Sequence, residues 1–341
     1  MKYRDLTDNQ VKHSINLKQT YDAYLAARDY MNHYKGGMTW KNVNGKEYLV
    51  KIINSKGGNK SLGSRCTETE KIYTNFHEGK EASKDRLSSL TQQLKEYSSI
   101  ARAINCGSMP KISISILNQL NKAGLIGKNL LVIGTNAIYA YESVAGVRFN
   151  SDIMETSDID FLWDSRTKLK VCSSESDKTV MSVIQKADKT FQRSNLPFQA
   201  INKNGYMVEL VRVNEDMLSE PPVLGDEKDE FEPVAIPNLE WLLSSPKFDA
   251  VVIGVDGTPA KIVVPDPRAF ALHKLWLSEQ PDREPAKKQR DRNQALAVIQ
   301  LVYDKFPFLK MDDNFKKIFP AYVFNMESVN DALEDFGDEF D

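Results

Sequence analysis

Two carboxylates inside an apolar strand constrain this chain more than any other feature. The stretch Leu130–Asp164 reads LLVIGTNAIYAYESVAGVRFNSDIMETSDIDFLWD, with Asp158 and Asp160 two apart in its last apolar run. Side chains alternate faces along a strand, so both acids point the same way, roughly 6.5–7 Å apart along the backbone. Two ionised carboxylates on a buried face repel, and each costs on the order of several kcal/mol to desolvate without a partner. A divalent cation is the usual relief. Carboxylates at this spacing can bridge two Mg²⁺ ions about 3.5–4 Å apart, the arrangement that clamps both oxygens of an in-line phosphoryl displacement. The bare Asp-x-Asp also fits a sheet-end pair facing water, or one acid paired with Arg148 or Arg166.

The turn before this strand bears on the choice. Gly134-Thr135-Asn136 ends the apolar run LLVI and opens a helical segment. A glycine at such a turn frees backbone N–H groups for an anion, and Thr135 adds a hydroxyl, so the β- and γ-phosphates of a nucleotide could sit here. An ordinary start to a helix explains the same residues, and the Gly-x4-Gly-Lys-Ser/Thr phosphate loop is absent. A third acid, Glu209 in GYMVELVRV, is the one ionised residue between Tyr206 and Val211. Either it faces the same cation or its strand is an exposed edge.

Length and composition set the outer bounds. The 341 residues are 41% hydrophobic and 27% charged, with a formal net charge of −2, enough for two domains of ordinary size. No window approaches the run of about 18 apolar residues that a membrane span requires. The polar opening MKYRDLTDNQVKHSINL lacks the apolar core of a secretion signal, so a cytoplasmic setting without a membrane is expected. Cys66, Cys106 and Cys172 lie far apart, which argues against a disulfide framework or a zinc site. The scattered His13, His33, His77 and His273 argue against a His-centred mechanism. Charge is uneven: Lys41, Lys46, Lys51, Lys56, Lys60 and Arg65 face only Glu47 in one stretch, while Glu327–Asp341 carries acids and no base.

Region 1–127 reads as mostly helical with one hairpin. LKQTYDAYLAARDYMNHY is helical, MTWKNVNGKEYLVKII turns at Asn44-Gly45, and NSKGGNKSLGSR is a glycine-rich basic loop. Thr67 with Glu70 makes a capping box for a long charged helix reaching about Ala103. KISISILNQLNKAGLIG is an amphipathic helix closed by Gly124 or Gly127. Region 128–222 alternates strands and helices, the pattern of a sheet domain: NLLVIG, DIDFLWD, the helix SDKTVMSVIQKADKTF, then FQAINK and GYMVELVRV as a hairpin or adjacent strands. Region 223–325 opens with the polar connector LGDEKDEFEP. A hairpin, FDAVVIGV with AKIVVP, follows and turns at Asp256-Gly257. Two basic helices close the region, DPRAFALHKLWLSEQ and AKKQRDRNQALAVIQLVYDKF. Residues 326–341 form an acidic tail.

Taken together, these motifs resemble the DNA polymerase β-like nucleotidyltransferase superfamily. Its signature is a strand, a Gly-Ser-like turn, a short helix, a strand bearing two alternating acids, and a third acid on a neighbouring strand. That pattern maps to Gly134-Thr135, Asp158-Ile159-Asp160 and Glu209, over about 80 residues. Thr135 stands where Ser is commoner, and the insert VAGVRFNSDIMETS lengthens the gap before Asp158. The C-terminal helices look like those of stand-alone nucleotidyltransferases, including toxin-type and antiphage members.

The resemblance implies an α+β fold, a mixed sheet flanked by helices with helical N- and C-terminal regions. It implies Asp158, Asp160 and Glu209 as catalytic and metal-binding residues, with two Mg²⁺ or Mn²⁺ ions and an NTP such as ATP as substrate. Gly134, Thr135, Asn136, Arg148, Lys274, Arg283 and Lys287 are the candidate nucleotide contacts, Lys274 foremost for the triphosphate, with Lys288 beside Lys287. The basic stretch and basic helices favour an RNA acceptor, for instance a tRNA 3′ end. A protein hydroxyl, a small molecule, an antitoxin-like protein partner, and a non-catalytic nucleotide-binding module of the same fold stay open.

Overall fold

The computed structural model describes residues 2–53, 58–154, 157–164, 179–213, 230 and 232–335. In chain order the strands and helices begin with β1 (Tyr3–Asp5), α1 (Asp8–Met31), β2 (Gly37–Val43), β3 (Lys46–Ile52), β4 (Asn59–Ser64) and α2 (Thr67–Ala103). They continue with α3 (Lys111–Lys122), β5 (Leu130–Ile133), α4 (Ile138–Ala145), β6 (Val147–Phe149), α5 (Ser151–Met154), β7 (Asp158–Trp163) and α6 (Val180–Ile184). Next come β8 (Gln192–Arg193), β9 (Gln199–Ile201), β10 (Met207–Val213), β11 (Val234–Ile236), α7 (Glu240–Ser244), β12 (Lys247–Ile253) and β13 (Pro259–Pro265). The helices α8 (Pro267–Glu279), α9 (Pro285–Lys305), α10 (Asp313–Lys316) and α11 (Glu327–Asp335) follow. Among the described residues no helix is long and apolar enough to cross a membrane.

Two compact units result, Lys12–Ile104 and Met1–Val11 with Asn105–Asp341. In the first, β2, β3 and β4 make an antiparallel sheet whose hairpin turns on Asn44 and Gly45, both with positive φ. Two consecutive left-handed residues are what a tight hairpin matching strand twist demands. A small core of Met38, Leu49 and Phe76 closes this unit. Part of the stretch expected as a basic loop is the strand β4. The cap of α2 also differs from the expected Thr67–Glu70 box: Cys66 is the N-cap and the hydroxyl of Thr69 accepts from its N–H at 2.8 Å. Thr69 wins because it stands at the third helical position, where a side chain can reach back.

The second unit is built on a mixed six-stranded sheet in the order β5-β7-β10-β9-β8, with β11 also on β10. β5 runs antiparallel to β7, β10 parallel to β7, and β9 antiparallel to β10. All four residues of β5 are buried, and the one large core of the unit takes in this sheet, the β12–β13 hairpin and the helices α3, α4, α8 and α9. Asp266 caps α8 by accepting from Arg268 N–H at 2.9 Å, with Pro267 in the first turn, where its missing N–H costs nothing. The helix expected over SDKTVMSVIQKADKTF is one short turn, α6. Asp188 accepts from the Thr190 N–H and from Asn202 Nδ2, and these side-chain bonds divert the backbone from continuing the helix. Within the stretch expected as an acidic tail, α11 instead buries Val329 and Ala332 in the core. Residues 336–341, Cys172, Arg166 and most of the 224–233 connector lie outside the described residues.

Candidate active site

The start of β7 sets the site. Ile159 points into the core with no exposure, while Asp158 and Asp160 are half-buried on the other face. β10 lies parallel beside it with Glu209 opposite Asp160 and Met207 opposite Asp158. Residues in register on neighbouring strands share a face, so Glu209 joins the two aspartates. β10 is an interior strand here, flanked by β7 and β9. From β9, Gln199 stands opposite Glu209, and its Nε2 donates to Glu209 Oε1 at 2.7 Å.

Gly134 closes the site from the β5 side. Its φ of 63° and ψ of −160° belong to glycine, and a Cβ there would stand 2.1 Å from Asp160 Oδ2. The Asp160 carboxylate therefore packs directly on the backbone of the turn. Asn136 Nδ2 donates to the Asp158 carbonyl at 2.6 Å, tying the helical side of the turn to the acid strand. The Tyr206 hydroxyl donates to the same carbonyl at 3.2 Å and shares a hydrogen bond of 2.8 Å with Ser113. The Thr135 hydroxyl is buried and accepts from Gln294 Nε2 at 3.1 Å, so α9 holds the turn from behind.

The electrostatics follow from this crowding. Asp160 is pushed up to about 7, first by burial and then by the charges of Asp158 and Glu209; Lys274 and Arg290 pull the other way. Lys274 is itself buried, and its Nζ donates to Asp291 Oδ1 at 2.6 Å. Arg283 holds the other oxygen of Asp291, at 2.8 Å from Nε and 2.7 Å from Nη2. Burial lowers the Lys274 pKa against the pull of Asp291. For Asp291 burial acts to raise the pKa, but the two cations outweigh it and hold the carboxyl below its usual range. Asp291 thus binds two cations with one charge, leaving net positive potential beside the acids.

The expected nucleotide contacts separate into groups. Gly134, Thr135 and Asn136 adjoin the acids; Lys274 acts on Asp160 electrostatically while its Nζ is held on Asp291, which Arg283 also binds. Lys287 is exposed and sits 3.4 Å from Glu284, one turn away. Arg148 goes elsewhere: its guanidinium donates to the carbonyls of Gly107 and Cys106 at 3.2 and 3.0 Å and lies 3.8 Å from Glu142. Arg290, Gln199, Gln294 and Tyr206 had no distinguishing sequence signal. Arg290 was one of several bases in AKKQRDR, and only the packing of α9 turns it toward Asp160. Its Nε is buried without a hydrogen-bond partner among the described residues.

A family model described as nucleotidyltransferase matches residues 111–319. The chain belongs to this nucleotidyltransferase family. The matched span runs from the start of α3 to Phe319 and so contains the acid strand, the Gly134 turn and the α8–α9 cation cluster. No curated protein and no solved structure gives a significant match to the chain. As a nucleotidyltransferase it binds a nucleotide substrate.

Among the described residues no three His, Cys, Asp or Glu side chains are gathered into a ready-made metal cage. The donor chemistry nevertheless fits a hard divalent cation. Mg²⁺ is ordinarily held by one or two carboxylates together with substrate phosphates and water, not by an all-protein shell. The unrelieved repulsion on Asp160 is the charge deficit that such a cation removes.

Proposed function

We propose that this nucleotidyltransferase has the polymerase β-like arrangement and moves an NMP from an NTP to a hydroxyl acceptor in a metal-dependent reaction. The observation that carries the reading is Asp160: a carboxyl packed against the Gly134 backbone and pushed up to about 7 by burial first and then by Asp158 and Glu209. Asp158, Asp160 and Glu209 are the residues that would hold Mg²⁺ or Mn²⁺, which would supply charge neutralisation at the reacting phosphates. Gly134 to Asn136 offer backbone N–H groups to the β- and γ-phosphates. Arg290 and the Lys274–Asp291–Arg283 cluster add positive potential along the leaving group.

The acceptor oxygen forms a bond to the α-phosphorus as the bond from that phosphorus to the β-phosphate oxygen breaks, and pyrophosphate leaves. The acceptor proton passes toward Glu209, which Gln199 orients. Most of the acceleration comes from positioning and from fixed charge. Label transfer from α-³²P nucleotides in the presence of Mg²⁺ or Mn²⁺ tests the reading. Retention of wild-type transfer by Asp158→Asn with Asp160→Asn would sink it.

RNA is the favoured acceptor class, supported by the exposed bases of the β2–β4 sheet, Lys41, Lys46 and Lys60 among them. A steep fall of RNA binding with added salt is the expected signature.

A further inference from the structure

Arg148 opens a second site. β1 and β6 pair antiparallel in the register Tyr3 with Phe149, Arg4 with Arg148 and Asp5 with Val147. Two arginines therefore stand directly opposite one another, an arrangement that costs stability unless an anion lies between them. Both line a cavity of about 720 Å³, shared with Ser108, Tyr139, Glu142 and Met154. That volume is within the usual range for a small-molecule or nucleotide pocket.

The surroundings cancel the paired charge only in part, through Glu142 at 3.8 Å from Arg148. Arg148 spends its Nη hydrogen bonds on neutral carbonyls, and its nearest acid, Glu142, is already bonded by Ser108 Oγ and the Phe149 N–H, each at 2.7 Å. Asp5, the next residue on β1, is committed to Lys305 at 2.7 Å. Arg4 is exposed and makes no side-chain hydrogen bond or ion pair among the described residues.

Two of the cavity's lining residues lie close in the chain to the acid strand and its turn. Tyr139 lies in the first turn of α4, directly after the Gly134 turn, and Met154 ends α5, four residues before Asp158. The Tyr206 hydroxyl that bonds the Asp158 carbonyl lies within electrostatic reach of Tyr139 as well.

We propose that this cavity is the acceptor pocket and takes a phosphate-bearing, nucleotide-sized group whose phosphate sits between Arg4 and Arg148. The assignment to the acceptor rests on the nucleotidyl-transfer reading above; the anion site stands on the arginine pair itself. Arg4 supplies the mobile donor, and Arg148, fixed by its three backbone carbonyls, supplies stationary charge.

The test uses the full chain without metal or NTP. Fluorescein-labelled single-stranded RNA is titrated by anisotropy, and AMP by thermal shift. With Arg4→Ala, affinity for the probe that occupies the cavity falls about ten-fold, the loss of one charge-assisted hydrogen bond, and Arg4→Glu weakens it further. Because Arg4 is exposed, neither change threatens the fold. Tyr139→Phe, which keeps the cavity's shape, serves as a second variant and reports on the wall nearest the acids.

Arg4-dependent RNA binding that exceeds AMP binding identifies a nucleic-acid end as the source of the phosphate, and the reverse identifies a free nucleotide. Wild-type affinity for both probes in Arg4→Ala and Arg4→Glu overturns the site. Arg4-dependent binding with an unchanged acceptor KM overturns its assignment to the acceptor. Failure of the transfer reading looks different: Asp158→Asn with Asp160→Asn then leaves label transfer intact, while binding still follows Arg4.

Discussion

Asp160 and Glu142 are both carboxyl groups pushed up to about 7, yet their neighbours act on them in opposite directions. For each, burial is the largest cause. Glu142 is then compensated: Arg148, the Ser108 hydroxyl and the Phe149 N–H all act to lower it. Asp160 is aggravated, because Asp158 and Glu209 raise it further and only distant Lys274 and Arg290 oppose them. A buried acid with satisfied oxygens is an anchor, here joining α4 to β6 and the 107–108 turn. A buried acid surrounded by its own kind is a vacancy for positive charge. The difference is the ground on which the β7 acids, and not Glu142, are proposed for the transfer, although the two pKa values are alike.

Removing the aggravated charge is expected to have the largest effect. Asp158→Asn with Asp160→Asn should lower label transfer roughly 10³-fold while leaving the melting temperature unchanged or raised, since repulsion is relieved. A fall in melting temperature instead would mean that the acids are structural and erase the contrast with Glu142. The compensated acid should behave the other way. Glu142→Ala leaves Arg148 without its acid and two donors without an acceptor, and should cost about 3–5 kcal/mol in urea unfolding, with Glu142→Gln milder.

Titration sharpens the same pair. Both carboxyls bind a proton more tightly in the folded chain than their ordinary values of 3.8 and 4.5 allow. Each therefore contributes stability that is full below about pH 4 and is lost as pH rises through about 7. His273, buried and held at about 3, slopes oppositely, so the comparison is made between variants. Asp160→Asn and Glu142→Gln should each flatten the wild-type loss between pH 4 and 7. Mg²⁺ should flatten the Asp160 share alone, and an equal effect on both would remove the distinction. Smallest of all, Arg290→Ala should raise the KM for NTP several-fold without moving the melting temperature, whereas Asp291→Ala, which strands two cations, should destabilise the fold.

Much of the architecture could be read ahead of the structure because it is local. β5, β7 and β10 announce themselves as apolar runs, the Asn44-Gly45 and Asp256-Gly257 turns as dipeptides, and α8 and α9 as helical segments rich in basic residues. The misreadings came where a side chain competed with the periodic pattern. Thr69 displaced the expected Thr67–Glu70 box, Asp188 cut the α6 helix short, and the apolar Val329 and Ala332 drew an acidic segment onto the core. The partners of the site residues were out of reach in the same way. Gln199, Gln294 and Arg290 are ordinary polar residues whose roles depend on register and helix rotation.

By itself the sequence determined that two acids share a strand face after a glycine turn, because strand periodicity is a property of the backbone. It also placed a third acid on another apolar strand. Only the tertiary structure decided that Glu209 stands opposite Asp160, because register between strands far apart in sequence is settled by the packing of the whole sheet. The same holds for the cations. Lys274 and Arg283 converge on Asp291 because α8 and α9 pack together, and Arg148 stands opposite Arg4 in register because β6 pairs with β1.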